Sequence, residues 1–216
     1  MGDVDGVAIT NHNLGHLARQ QGDVQQAELY YRDSLAVSRP FQMNWHAANS
    51  YVGLAQSLLY QGKIEEALES LQDGSRLAQE INAPDVIVEA HCTAAEIYLA
   101  REDYLESERC ARNAVELALE IGVSPLRATA WRLMSASLLQ QNRIQEASQA
   151  LEKAWLAVTD GSDKLEDGRL HVQAMLVALA TGDQEKAKTH RESAEHVFKD
   201  LGASRDLDLL ESVEFP

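Results

Sequence analysis

Two histidines four residues apart, His12 and His16, are the first side chains whose spacing could do chemistry. On a helix they would project from one face and could together hold a metal ion. No third ligand follows at metal-like spacing, so they read as two polar positions on a helix and no metal site is assigned. Cys92 and Cys110 are the only cysteines and form no CxxC. They read as free thiols in a reducing cytoplasm. The opening DVDG lacks the later oxygen ligands of a calcium loop. There is no phosphate loop, GxSxG or HExxH, so hydrolytic chemistry has no support and neither enzyme activity nor a cofactor is assigned.

The elements that would carry these residues are helices. The chain has 216 residues, enough for one large domain or two small ones. Only 6% of it is aromatic, and its 12 glycines and 4 prolines are few. With abundant Ala, Leu, Glu and Gln, this favours helix over strand. Hydrophobic residues make up 45% and charged residues 25%, an ordinary balance for a soluble globular protein. No run of 18 apolar residues occurs and no apolar leader opens the chain, so neither a membrane span nor a secretory signal is expected. The net charge of −15 argues against nucleic acid, whose phosphates demand a basic face.

The helices recur. Gly22, Gly62, Glu102, Asn142 and Gly182 occupy matching contexts at intervals of 40 residues, without an insertion. Each stands where a first helix must end in a left-handed residue, a role that suits Gly and Asn and suits Glu102 least. One residue on, Asp23, Asp103 and Asp183 can cap the next helix. Five residues after each marker the side chain is small: Ala27, Ala67, Ser107, Ala147 and Ala187. Seven before it stand Gly15, Ala55, Ala95 and Ser135, with Met175 the exception. First helices are expected near 7–20, 44–60, 85–100, 125–140 and 163–180. Second helices are expected near 23–38, 63–80, 103–120, 143–158 and 183–200. Ser124-Pro125, Ala83-Pro84-Asp85 and Ser162 or Asp163 mark helix starts. Residues 1–6 read as a flexible lead.

The stretch NLGHLARQQGDVQQAELYYRDSL, with Leu14, Gly15, Ala27 and Tyr31, resembles the tetratricopeptide repeat. So does WRLMSASLLQQNRIQEASQALEKA, with Trp131, Ala147 and Ala154. The resemblance extends over about residues 8–200, although the family period is usually 34 residues. It implies an all-α, right-handed α-solenoid of five helical hairpins, near 8–47, 48–87, 88–127, 128–167 and 168–203. A short capping helix and tail would follow over 204–216. The 40-residue variety is similar to the sensor arms of bacterial signalling regulators, such as the maltose-regulator type of LuxR-like activator. A free-standing scaffold or peptide receptor is the alternative.

The same resemblance implies a concave groove lined by the first helices. Its partner would be a protein or peptide segment, from another chain or from this one, and the oligomeric state stays open. The implied lining includes His12, His16, Arg19, Asn49, Gln56, Leu59, Tyr60, Glu89, Glu96, Leu99, Arg132, Leu139, Arg169 and Leu179. Leu59, Leu99, Leu139 and Leu179 form a ladder that fits either a groove floor or packing between units. Arg132 and Arg169, with Glu89 and Glu96 on the neighbouring unit, fit either polar specificity in that groove or a solvated lining crossed by ion pairs worth about 0–1 kcal/mol each. His12 and His16 stand where chaperone-tail-binding members carry a Lys–Asn pair, and Gly53 replaces the next Asn, so no chaperone-tail binding is expected. His91 and His171 share the slot of Trp131 and Tyr51, the family's packing aromatic. Gln184, Lys188, Arg191 and Glu195 give the fifth unit a polar outer face, suited to the end of an array.

Overall fold

The computed structural model describes residues 4–122, 124–158 and 163–214, without the side chains of 124 and 125. Eleven helices and no strand occur among the described residues. In chain order they are α1 (Val4–Gln20), α2 (Val24–Ser38), α3 (Asn44–Tyr60), α4 (Ile64–Glu80), α5 (Pro84–Ala100) and α6 (Tyr104–Ile121). Then follow α7 (Ser124–Gln140), α8 (Ile144–Ala157), α9 (Lys164–Thr181), α10 (Gln184–Leu201) and α11 (Ser204–Ser212). Helices α1 to α10 pack as five successive hairpins, and each hairpin packs on the next. The chain is an α-solenoid.

The first helix starts earlier than a flexible lead of 1–6 allows. Val4, Asp5 and Gly6 are already helical, with Asp5 in the first turn, where a carboxylate favours the positive end of the helix dipole. The starts read at Ser124-Pro125 and at Ser162 lie outside the described side chains. Asp163 does cap α9, accepting from the Leu165 amide at 3.0 Å.

The turns show a finer period than the 40 residues of the hairpin. Left-handed residues stand at Gly22, Gly62, Glu102, Asn142 and Gly182, and also at Gln42, Asn82, Gly122 and Gly202. A left-handed residue therefore recurs every 20 residues, except that slot 162 lies outside the described residues. After it, the amides of residues 23, 43, 63, 83, 103, 143, 183 and 203 reach the carbonyl five residues back at 2.9–3.0 Å. This is the Schellman closure, which satisfies the last carbonyls of each helix. Asp23, Asp103 and Asp183 then cap α2, α6 and α10 through the amides of Gln26, Glu106 and Lys186.

Close helix packing rests on the small slots. Ala27, Ala67, Ser107, Ala147 and Ala187 are fully buried. Tyr31, 1% exposed, lies against two glycines at once: a Cβ built on Gly15 would sit 3.0 Å from its ring, and one on Gly53 only 2.4 Å. Neighbouring units are also clamped by charge. Glu28 accepts from Gln61 at 2.8 Å and Lys63 at 3.0 Å, and Glu108 repeats this with Gln141 and Arg143 two units on. Although burial opposes the charge of Glu28, its bonds to Gln61, Lys63 and Arg32 hold its pKa down at about 2.

The concave interior as candidate functional site

The first helices line the inner face, and the last short helix turns back onto it. Ser204 donates to the Gln21 carbonyl at 3.1 Å, which places the start of α11 beside the first turn of the chain. The Arg205 guanidinium lies 3.5 Å from the centre of the Tyr60 ring on α3. Asp206 accepts from Arg169 Nε of α9 at 2.8 Å, and Arg191 of α10 holds the far end by donating to the Val213 carbonyl at 3.2 Å. Leu210, 2% exposed, anchors α11 in an apolar cluster with Phe198 and Met175.

Charged residues form a connected line along the interior. The Tyr60 hydroxyl donates to Glu96 at 3.3 Å. Arg132 reaches Glu96 at 3.5 Å and grips Glu166 at 2.5 and 3.2 Å. The side chains of Arg132 and Arg169 are only 11% and 16% exposed, so they do not form a solvated lining. Near-burial of both partners makes these pairs positional, since breaking one would leave a charge in a poor solvent. Burial works against both guanidiniums, and it is outweighed by Glu166 and Glu96 beside Arg132 and by Tyr60 and Asp206 beside Arg169, raising both pKa values.

Two cavities result. The larger, about 470 Å³, is bounded by α3, α5, α7, α9 and α11 and combines Leu59, Leu99, Val172 and Leu209 with Tyr60 and Arg205. The smaller, about 200 Å³, lies between α1 and α9 and is floored by Gln56, Glu89 and Cys92.

The residues expected in the groove divide accordingly. Leu59, Tyr60, Leu99 and Arg132 line the larger cavity; His16, Arg19, Gln56 and Glu89 line the smaller; Glu96 and Arg169 border both. The other four face neither cavity. His12 is half-buried in the first hairpin, 3.2 Å from Ser50 Oγ and edge-on to Tyr31. Asn49 donates to the Trp45 carbonyl of its own helix. Leu139 and Leu179 are partly buried against the core. The leucine ladder thus splits, with its first two members facing the cavity as well as the core.

His171 is set against Trp155 at 5.0 Å and His190, and Trp131 carries Lys153 Nζ 4.4 Å above its ring. His91 is half-buried. No group of three or more potential metal ligands occurs among the described residues. No helix among them is long and apolar enough to cross a membrane.

The α11 residues Arg205, Asp206 and Leu209 were not anticipated in the groove. Their signal was the 40-residue register carried one unit further. Asp206 takes the slot of Glu166, and Leu210 the slot of Leu170. Helix α11 takes the place of a first helix in this register.

This is the architecture of a helical-repeat solenoid, a class of interaction and scaffold modules. The tetratricopeptide repeat model matches residues 6–80 and 86–154, and the chain belongs to that family. Among solved structures it is similar to the apo form of RapI, with 13% identity, a TM-score of 0.74, and coverage of 98% of this chain and 82% of that one. It is also similar to BtubC (BKLC) from P. vanneervenii, with 17% identity and a TM-score of 0.68, covering 92% and 82%. A third likeness is to nearly identical TPR-like repeats of a kinesin light chain from Podosopora anserina. There the identity is 16% and the TM-score 0.63, covering 93% and 98%. At these identities the likeness concerns the fold. No curated protein sequence matches the chain.

Proposed function

We propose that the chain is a non-catalytic protein-interaction module that receives a partner segment on its concave face, in the larger cavity. The observation that carries this reading is the seat of α11. Its guanidinium, carboxylate and leucine side chains rest on Tyr60, Arg169 and the apolar wall, so this face already accommodates a helical segment. A partner helix with a basic-acidic pair followed by leucines would meet the same groups. Family membership supports the general role.

In this reading the module is the sensor or scaffold arm of a larger bacterial signalling or transcriptional regulator, and the partner segment biases an attached effector. The contact between Ser204 and Gln21, which links α11 to the first unit, supports a free-standing receptor as the second reading. The domain content of the native gene separates the two.

Affinity capture from the source cell tests the groove itself. Wild type is compared with Tyr60→Ala, with Arg132→Ala and with a control at the exposed Leu156, changed to Asn. Partners should be lost with the two groove variants and kept by the control. If every partner stays bound to all three, the concave face is not the binding site.

A further inference from the structure

The smaller cavity collects buried polar atoms that the protein itself leaves without hydrogen-bond partners. Arg19 Nε, Gln56 Oε1 and Asp167 Oδ1 are three such atoms, and all three residues line this one cavity. Arg19 and Gln56 are each only 8% exposed. The orientation of the Gln56 amide is settled by its neighbours. Its Nε2 donates to Thr93 Oγ1 at 2.9 Å, and the Thr93 proton is used on the Glu89 carbonyl, also at 2.9 Å. Oε1 therefore faces the cavity as an acceptor.

The charges bordering the cavity sort in the same way. Arg132 takes Glu96 and Glu166, and Arg169 takes Asp206. Arg19 bonds Tyr31 and its charge acts on Glu89, but its Nε is left as a donor and Asp167 Oδ1 as an acceptor, while Glu89 is a further acid of the wall and the exposed Asp163 caps α9. A buried donor and buried acceptors without partners are costly, and a ligand that supplies both recovers that cost. Inorganic anions would answer Arg19 alone and face three acids. A metal cation would face Arg19 without a ligand cluster. What matches is an amphoteric molecule with one anionic end and cationic ends on the other side.

We propose that this cavity is a small-molecule site for a free basic α-amino acid. The α-carboxylate sits on Arg19, the α-ammonium donates to Gln56 Oε1, and the side-chain cation meets Asp167. At about 200 Å³ the cavity has room for roughly seven waters, which is the bulk of one lysine or arginine molecule. The first helices of all five units contribute to its wall, so a bound amino acid would tie the first unit to the fifth. The proposal does not depend on the larger cavity binding a protein segment.

Isothermal titration calorimetry on the full chain is the test, with L-lysine and L-arginine as ligands and L-glutamate and inorganic phosphate as controls. One of the basic amino acids should bind with a stoichiometry of one, and neither control should bind. Asp167→Asn and Arg19→Gln should each weaken binding at least tenfold. Should Arg19→Gln fail to fold, the half-buried Asp167→Asn keeps the question open to refutation. Absence of binding by folded wild type, undiminished binding by Asp167→Asn, or equal binding of L-glutamate would each overturn the assignment. Partner capture through the larger cavity is scored separately with Tyr60→Ala, so either reading can fail alone.

Discussion

Arg205 rests its guanidinium 3.5 Å from the centre of the Tyr60 ring, joining the last helix of the chain to the second of five repeats. A cation over an aromatic face is worth about 0.5–2 kcal/mol, depending on how far it is desolvated. With the Glu96–Arg132–Glu166 line and the Arg169–Asp206 pair, it completes a circuit of charges around the interior. The concave face is consequently a partly closed chamber, and α11 is the part of its wall attached by the fewest groups.

Asp206→Ala should release that wall. Arg169 would lose both bonds to the Asp206 carboxylate in a site where it is 16% exposed. Removing a hydrogen-bonded charge partner of this kind costs about 2–3 kcal/mol. Hydrogen exchange should show residues 204–212 losing protection while α3 and α4 retain theirs. If 204–212 stays equally protected, apolar anchoring through Leu210 is what holds the helix.

Much of this architecture is legible in the residues because the turns are local. A left-handed residue, a cap and a small contact slot all sit within six positions of one another, so Gly22 and Ala27 suffice to place a hairpin. The alternate turns at Gln42, Asn82, Gly122 and Gly202, all at positive φ, lie at half the 40-residue interval, where their mixed residue types do not repeat the context of the Gly22 series. The site was legible by halves. Periodicity names the residues on the inner face, but how tightly the solenoid curls depends on long-range packing. That curl brings Arg169 to Asp206 and Arg19 into one cavity with Asp167. It also turns His12 toward Ser50 instead of the groove.

Glu102→Gly should stabilise the protein. Glu102 is held at φ 61° in an exposed turn, a conformation that costs a residue with a Cβ about 1–2 kcal/mol. The extra entropy of glycine in the unfolded chain returns about 0.4–1 kcal/mol of that, leaving a gain of roughly 0.5–1 kcal/mol. Urea midpoints read the difference directly, and an unchanged or lower midpoint would contradict the strained turn. Gly182→Ala, at φ 78°, should move the midpoint the other way.

Gly53→Ala sets two effects against each other. Alanine is favoured over glycine inside a helix by about 1 kcal/mol. Its Cβ, however, would lie 2.4 Å from the Tyr31 ring, which is 1% exposed and already touches Gly15. Overpacking of this kind costs about 1–3 kcal/mol, and a rigid ring fixed on both sides belongs at the upper end. The net expectation is a loss of roughly 2 kcal/mol. In a double-mutant cycle with Tyr31→Leu most of that loss should vanish, and a penalty that persists would locate the strain elsewhere.

Acid should weaken the first hairpin before it weakens the carboxylate clamps. Burial, reinforced by His16, His46 and Arg19, lowers the pKa of His12 to about 4. Its unfolded value is about 6.5, so between those two values the unfolded chain binds the extra proton. Stability from this group is therefore complete above pH 6.5 and is lost as pH falls toward 4, by on the order of 1–3 kcal/mol. Burial lowers His16, His91, His171 and His190 as well, adding loss of the same sign. Glu28, held at about 2, keeps its bonds to Gln61 and Lys63 through this window. Urea midpoints at pH 8, 6.5 and 4.5 should fall for wild type and fall less for His12→Gln. An identical fall in both would assign the sensitivity to the other four histidines.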